Sequence, residues 1–182
     1  HRLTLDYPEK VRKLAVLDIV PTYELYTTAD REFATVYYHW FFLIQPFPLP
    51  EKLISADPEY FLRTCLNNWS KIADAFTPDA LAEYLRCFSN PATIHGTCED
   101  YRASAAIDLI YDERDLDKKI TCPLLVLWGS RGIIGKKYDV LASWRKRATH
   151  VTGKAIDCGH FLPEEAPEST YLSIKEFLHL KK

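Results

Sequence analysis

Lys13-Leu14-Ala15-Val16-Leu17-Asp18-Ile19 is an almost unbroken apolar run with a carboxylate embedded near its end. A run of this length reads as a strand buried on both faces, as in a parallel sheet, rather than as an alternating half-exposed one. Ahead of it, Leu3 and Leu5 close a short helix at Tyr7-Pro8, because proline disfavours helical geometry in the residue before it. Far downstream, Ile120-Thr121-Cys122-Pro123-Leu124-Leu125-Val126-Leu127-Trp128 is a second buried strand that stops at Gly129-Ser130. An amphipathic helix over 138–147, a weaker strand over 151–157 and a final helix over 164–180 follow. The final helix has apolar positions at Tyr171, Leu172, Ile174, Phe177 and Leu178, with acids in its first turn, where the helix dipole favours them.

Between the two strong strands the pattern is helical. Residues 31–44 form an aromatic-rich helix stopped by Pro46-Phe47-Pro48-Leu49-Pro50. Asp57-Pro58 opens a second helix, with aspartate as N-cap and proline at the first helical position, and Thr77-Pro78 opens a third. Asn90-Pro91 is read as the end of that third helix, and a further helix is expected over 97–108. Strand, helical insertion, strand, helix, strand, helix is the order of half of an open α/β sheet carrying a lid. The fold class is therefore α/β. Residues 1–20 and 113–182 are assigned to the core, and 21–112 to a helical cap.

Composition narrows the function classes. The 182 residues hold 23 Lys+Arg against 25 Asp+Glu, a formal charge of −2, and the densest basic stretch is only Arg145-Lys146-Arg147. This balance argues against nucleic-acid binding, which needs clustered cations. Hydrophobic residues make up 47% and aromatics 13%, enough for a packed core. No apolar run reaches the ~18–20 residues of a membrane span. Cys65, Cys87, Cys98, Cys122 and Cys158 match neither a zinc spacing nor a disulfide framework. They read as reduced core residues, and with no signal-peptide pattern the expected location is cytoplasmic. The absence of methionine and the opening His1-Arg2 suggest a fragment of a longer protein.

Three groups could carry chemistry. His160, in Asp157-Cys158-Gly159-His160-Phe161, lies in a tight turn after the third strand, where α/β sheets collect reactive side chains. It is either a general base or a cap on the last helix. A base histidine needs a carboxylate to fix its tautomer, and the turn Gly129-Ser130-Arg131-Gly132 contains none. Asp18 is the candidate, since a carboxylate in an apolar run must be paired to justify its desolvation. The alternative is a loop-capping aspartate, and Asp139 and Asp157 are weaker choices. In Tyr37-Tyr38-His39-Trp40-Phe41-Phe42-Leu43 the aromatics either pack the lid on the core or, joined by Tyr101, hold a small anion through N–H and O–H donors. Arg102 and Arg131 read as solvated or paired structural residues rather than as contacts to a substrate carboxylate.

Taken together, 14–22 (Leu14 to Thr22), His39-Trp40, Pro91-Ala92-Thr93-Ile94-His95-Gly96, Asp100-Tyr101-Arg102, Leu127-Trp128-Gly129-Ser130 and Cys158-Gly159-His160-Phe161-Leu162-Pro163 resemble the haloacetate and fluoroacetate dehalogenases of the α/β-hydrolase superfamily. The resemblance runs nearly end to end. It implies a carboxylate nucleophile in an elbow turn, which displaces halide and forms an ester that water then hydrolyses. It assigns His160 to activation of that water, Asp18 to orientation of His160, and His39, Trp40 and Tyr101 to halide and substrate binding. It implies a small 2-haloacid substrate, no metal or organic cofactor, and a homodimer. The family's nucleophilic aspartate and two carboxylate-gripping arginines precede the Gly-His-Arg that His1-Arg2 would continue, so the nucleophile is expected upstream of this chain. An epoxide hydrolase or esterase on the same scaffold, or a non-catalytic fragment, are the competing readings.

Overall fold

The computed structural model describes residues 1–179. Its sheet consists of β1 (Leu14–Leu17), β2 (Leu124–Gly129) and β3 (Val151–Ile156), all parallel, in the order β1-β2-β3. Leu14 pairs with Leu124 and Leu17 with Leu127 on one side of β2, and Leu124 pairs with Val151 and Gly129 with Ile156 on the other. Helix α1 (Arg2–Asp6) precedes β1. Between β1 and β2 run α2 (Thr22–Thr28), α3 (Arg31–Val36), α4 (His39–Phe42), α5 (Leu49–Ala56), α6 (Pro58–Trp69), α7 (Pro78–Phe88), α8 (Pro91–Ala105) and α9 (Ile107–Arg114). α10 (Ile133–Lys137) and α11 (Val140–Arg145) link β2 to β3, and α12 (Leu162–Glu165) and α13 (Pro167–His179) follow it.

The two-residue period of β2 sends alternate side chains to opposite faces. Leu124 and Val126 join a cluster with Val20, Leu25, Phe33, Tyr37, Trp40, Ile134 and Trp144, while Leu125 and Leu127 join Ile156, Cys158, Leu162 and Phe177. Each fully buried aliphatic or aromatic side chain contributes about 1.5–3 kcal/mol. The first cluster continues without a break from the sheet into α2, α3 and α4, so these helices are placed against the strand ends by the core itself. A third cluster, Leu43, Ile54, Ile94 and Cys98, holds the more distant helices together. Among the described residues no helix is long and apolar enough to cross a membrane.

Several local expectations change. β1 is shorter than 13–19 and half-buried at every position, because it is the edge strand among the described residues and only β2 covers its inner side. The second strand starts at Leu124 rather than Ile120, since Pro123 has no N–H for the ladder; Ile120 makes only an isolated bridge to Ala148. The helix expected over 31–44 breaks at Tyr37, whose backbone (φ −108°, ψ 45°) leaves helical geometry as its ring turns inward. Asn90-Pro91 starts a helix instead of only ending one, because the Asn90 side chain accepts from Ala92 N at 2.9 Å. The helix expected over 97–108 is therefore the end of α8 and the start of α9.

At the other end of the chain, Asp139 is an N-cap that leaves α11 to begin at Val140. Pro167 divides the last helical region into α12 and α13, and Tyr171, Leu172 and Leu178 are exposed. Residue 180 lies outside the described residues.

Candidate active site

Asp18 and His160 reach each other across β2. The Asp18 backbone continues the parallel ladder by donating to Leu127 O at 2.8 Å, then takes a positive φ of 48°. That left-handed geometry suits a short polar side chain better than a bulky one, and it turns the carboxylate inward. The side chain is fully buried and fully engaged. Oδ1 accepts from Gly129 N at 2.9 Å, and Oδ2 accepts from His160 Nδ1 at 2.7 Å. With Nδ1–H directed at Asp18, the proton-accepting lone pair of His160 lies on Nε2, on a ring that is partly open to solvent.

The loop that carries His160 is braced on all sides. Ser130 N donates to Ile156 O at 2.9 Å, Arg131 N to Cys158 O at 3.0 Å and His160 N to Trp69 O at 3.2 Å. Gly129 cannot carry a side chain here, because a Cβ would stand 1.9 Å from Gly159 O. Arg131 pairs with Asp157 (Nε to Oδ1 2.7 Å), so both have structural partners at the rim of the strand ends. The Cys158 thiol is buried in the same loop, and desolvation pushes it up to about 12, which keeps it out of nucleophilic chemistry at neutral pH.

The aromatic residues singled out in the sequence come together beside this pair. The rings of His39 and Tyr101 lie 5.6 Å apart, and those of Trp40 and Tyr101 5.6 Å apart at 90°. His39 is buried, its Nδ1 has no hydrogen-bond partner among the described residues, and burial together with the nearby His160 lowers its pKa to about 3. It is therefore a neutral ring at any physiological pH, with an unpartnered buried nitrogen of the kind that ordinarily has a ligand or water. Desolvation also raises the pKa of Tyr101, which stays a protonated donor.

Two residues had no functional assignment in the sequence. The Tyr37 hydroxyl stands 3.1 Å from His160 Nδ1 and 3.5 Å from Asp18 Oδ2, and burial raises its pKa. Trp69 lies 4.3 Å from the His39 ring and 5.8 Å from that of His160. In the sequence Tyr37 is one more aromatic in a run of them, and Trp69 carries no signal of its own. The inward break after α3 and the return of α6 towards the strand ends bring them in.

Arg102 is structural. It bridges Glu51 (Nη1 to Oε1 2.7 Å) and Glu99 (2.6 Å) and donates through Nη2 to Gln45 O at 2.8 Å. Glu51, His95 and Glu99 place donor atoms within 4.8 Å of one another. The Arg102 guanidinium already supplies positive charge to both carboxylates there, a donor set that suits an ion-pair network better than a metal.

No protein-family model matches the chain. It is 42% identical over 179 residues to the fluoroacetate dehalogenase of Burkholderia sp, covering 98% of this chain and 59% of that protein. It is 31% identical over 172 residues to the soluble epoxide hydrolase of Corynebacterium sp. (strain C12), covering 90% of this chain and 57% of that one. A crystal structure from Nostoc sp PCC 7120, provisionally described as an alpha/beta hydrolase, superposes with a TM-score of 0.96 at 65% identity, over 100% of this chain and 62% of that one. The chain thus spans somewhat under two thirds of the proteins it matches. It belongs to the α/β-hydrolase superfamily and, within it, is similar to fluoroacetate dehalogenase over nearly its whole length.

Proposed function

We propose that this chain is part of a hydrolytic dehalogenase of small 2-haloacids, converting fluoroacetate or chloroacetate to glycolate and halide. In this reading 21–112 is a cap over the strand ends. The nucleophilic carboxylate comes from residues outside this chain. Its oxygen attacks the carbon that bears the halogen, and the carbon–halogen electron pair leaves with the halide. His39, Trp40 and Tyr101 donate to the departing anion. Donors already aimed at growing charge are worth about 2.7–4 kcal/mol each in comparable oxyanion sites.

In the second step His160 Nε2 takes a proton from water as that water's oxygen adds to the acyl carbon of the ester. The bond from the acyl carbon to the ester's alkoxy oxygen then breaks, the imidazolium returns its proton to that oxygen, and glycolate leaves. Asp18 fixes the Nδ1–H tautomer and stabilises the imidazolium. The observation that carries the reading is the buried Asp18–His160 pair at 2.7 Å, set beside a neutral, unpartnered His39 in an aromatic cluster.

Epoxide opening is the second reading, supported by the 31% identity to an epoxide hydrolase and by Tyr101, whose hydroxyl could protonate an alkoxide. The two differ in product. Full-length protein should release halide from fluoroacetate or chloroacetate at an ion-selective electrode. Diol formation from small epoxides without halide release would replace the dehalogenase reading by the second.

A further inference from the structure

One buried carboxylate next to His160 takes no part in the chemistry above. Glu165, at the end of α12, is 9% exposed and, among the described residues, is engaged only by backbone N–H groups. Its Oε2 accepts from Gly159 N at 2.7 Å and from Lys71 N at 2.8 Å, and its Oε1 accepts from Phe161 N at 2.8 Å. Two of these donors flank His160 in the chain. The third belongs to the strap that leaves α6 for α7, and the carbonyl of Trp69, the last residue of α6, in turn accepts from His160 N at 3.2 Å. The base-bearing loop and the strap are thus interleaved, with Glu165 at the crossing. Gly159 allows that contact, since a Cβ would lie 2.6 Å from Trp69 O and 2.8 Å from Lys71 N.

Burying a carboxylate is costly unless its lone pairs are satisfied, and charge-assisted bonds to three N–H groups do satisfy them. A brace of the loop alone would need only the Gly159 and Phe161 bonds. The bond to Lys71 joins that loop to the segment that brings Trp69 within 4.3 Å of His39.

We propose that Glu165 is a positioning residue that holds the His160 loop and the Trp69–Lys71 strap as one body, so that the base and the anion cluster keep a fixed separation. The inference rests on the hydrolytic reading above. His39 and Trp40 sit on α4, which Trp40 anchors in the main core cluster, whereas His160 rides on the loop that Glu165 holds, so loss of the tie should act mainly on the step that uses His160. Misplacement of a reacting group by about 1 Å costs on the order of 100-fold. An amide in place of the carboxylate would point its NH2 at N–H donors and lose at least one of the three bonds.

The test is rapid-quench kinetics on full-length protein with fluoroacetate, which separates the first release of halide from hydrolysis of the ester. Glu165→Gln should slow ester hydrolysis by about 10- to 100-fold, while the first halide release stays within about threefold. Gly159→Ala, which wedges the strap away without a charge change, should give the same split. Glu164→Gln, which removes only the 2.8 Å bond from Tyr84 on α7, should leave the ratio of the two steps unchanged. Equal slowing of both steps, a smaller burst at unchanged rates, or unchanged ester hydrolysis in Glu165→Gln would overturn the proposal.

If unmodified protein forms no ester and releases no halide, the dehalogenase reading fails, and the tie is then read by amide hydrogen exchange. Glu165→Gln should accelerate exchange at Gly159, Phe161 and Lys71 while β2 stays protected. Unchanged protection at Lys71 would overturn the proposal on that route too.

Discussion

Replacing Asp18 by asparagine would remove a charge from a fully buried side chain while keeping its shape. The amide carbonyl can still accept from Gly129 N, where Oδ1 now does so at 2.9 Å, but the NH2 group must then face His160 Nδ1. A donor facing Nδ1 forces that nitrogen to accept, which moves the ring proton to Nε2 and removes the lone pair that would activate water. The flipped amide would restore the tautomer only by directing its NH2 at the Gly129 N–H. Neither orientation serves both neighbours. The same exchange of aspartate for asparagine in a Ser-His-Asp triad costs about 10⁴ in rate. For ester hydrolysis here a loss of about 10³–10⁴ is expected, equivalent to roughly 4–5.5 kcal/mol. The first halide release does not use His160 and should stay within about threefold of unmodified protein, so the variant should give one burst of halide per site followed by near-silence. Rapid-quench halide measurement with intact-mass detection of the ester reads both steps. Ester hydrolysis within tenfold of the unmodified rate would refute the assignment of Asp18.

Three further outcomes are expected. Trp40→Phe should slow fluoroacetate more than bromoacetate, since the poorer leaving group depends more on donors to the departing anion; equal losses on both would count against that role. His39 has a folded pKa lowered to about 3 from 6.5, so below about pH 6.5 the unfolded chain binds a proton that the folded chain refuses, and stability falls as pH drops towards 3. His39→Phe should therefore lose about 2–3 kcal/mol less than unmodified protein between about pH 7 and 4.5, read by urea unfolding at both pH values; parallel losses would place the proton elsewhere. Arg102→Met breaks the bridge between Glu51 and Glu99 and should lower Tm without changing KM for haloacetate, whereas a raised KM at unchanged Tm would move Arg102 into the substrate site.

How much was legible follows from where each signal resides. Asp18 could be found because a carboxylate closing an apolar strand has to be paired, and His160 because a glycine-flanked histidine follows a strand. Their pairing across β2 could be expected once the turn after Trp128 proved free of acid. His39, Trp40 and Tyr101 were visible as donors too aromatic for a solvent face, although only the fold reveals that His39 lacks a partner at Nδ1 among the described residues. Glu165 left no trace, because its meaning is a contact with Lys71, 94 residues earlier in the chain. Tyr37 was hidden by its own neighbours, since a continuous aromatic run gives no sign that the helix breaks there. Asn90-Pro91 misled because a cap followed by proline is the grammar both of a stop and of a start.

The roles of His160 and Asp18 are tested most directly by the intact mass of full-length protein carrying His160→Asn after incubation with fluoroacetate. The expected result is one halide released per active site and a mass increase equal to one carboxymethyl group, stable over many turnover times of the unmodified enzyme. Sustained turnover by the variant, or halide release with no covalent mass gain, would contradict the roles given to His160 and Asp18.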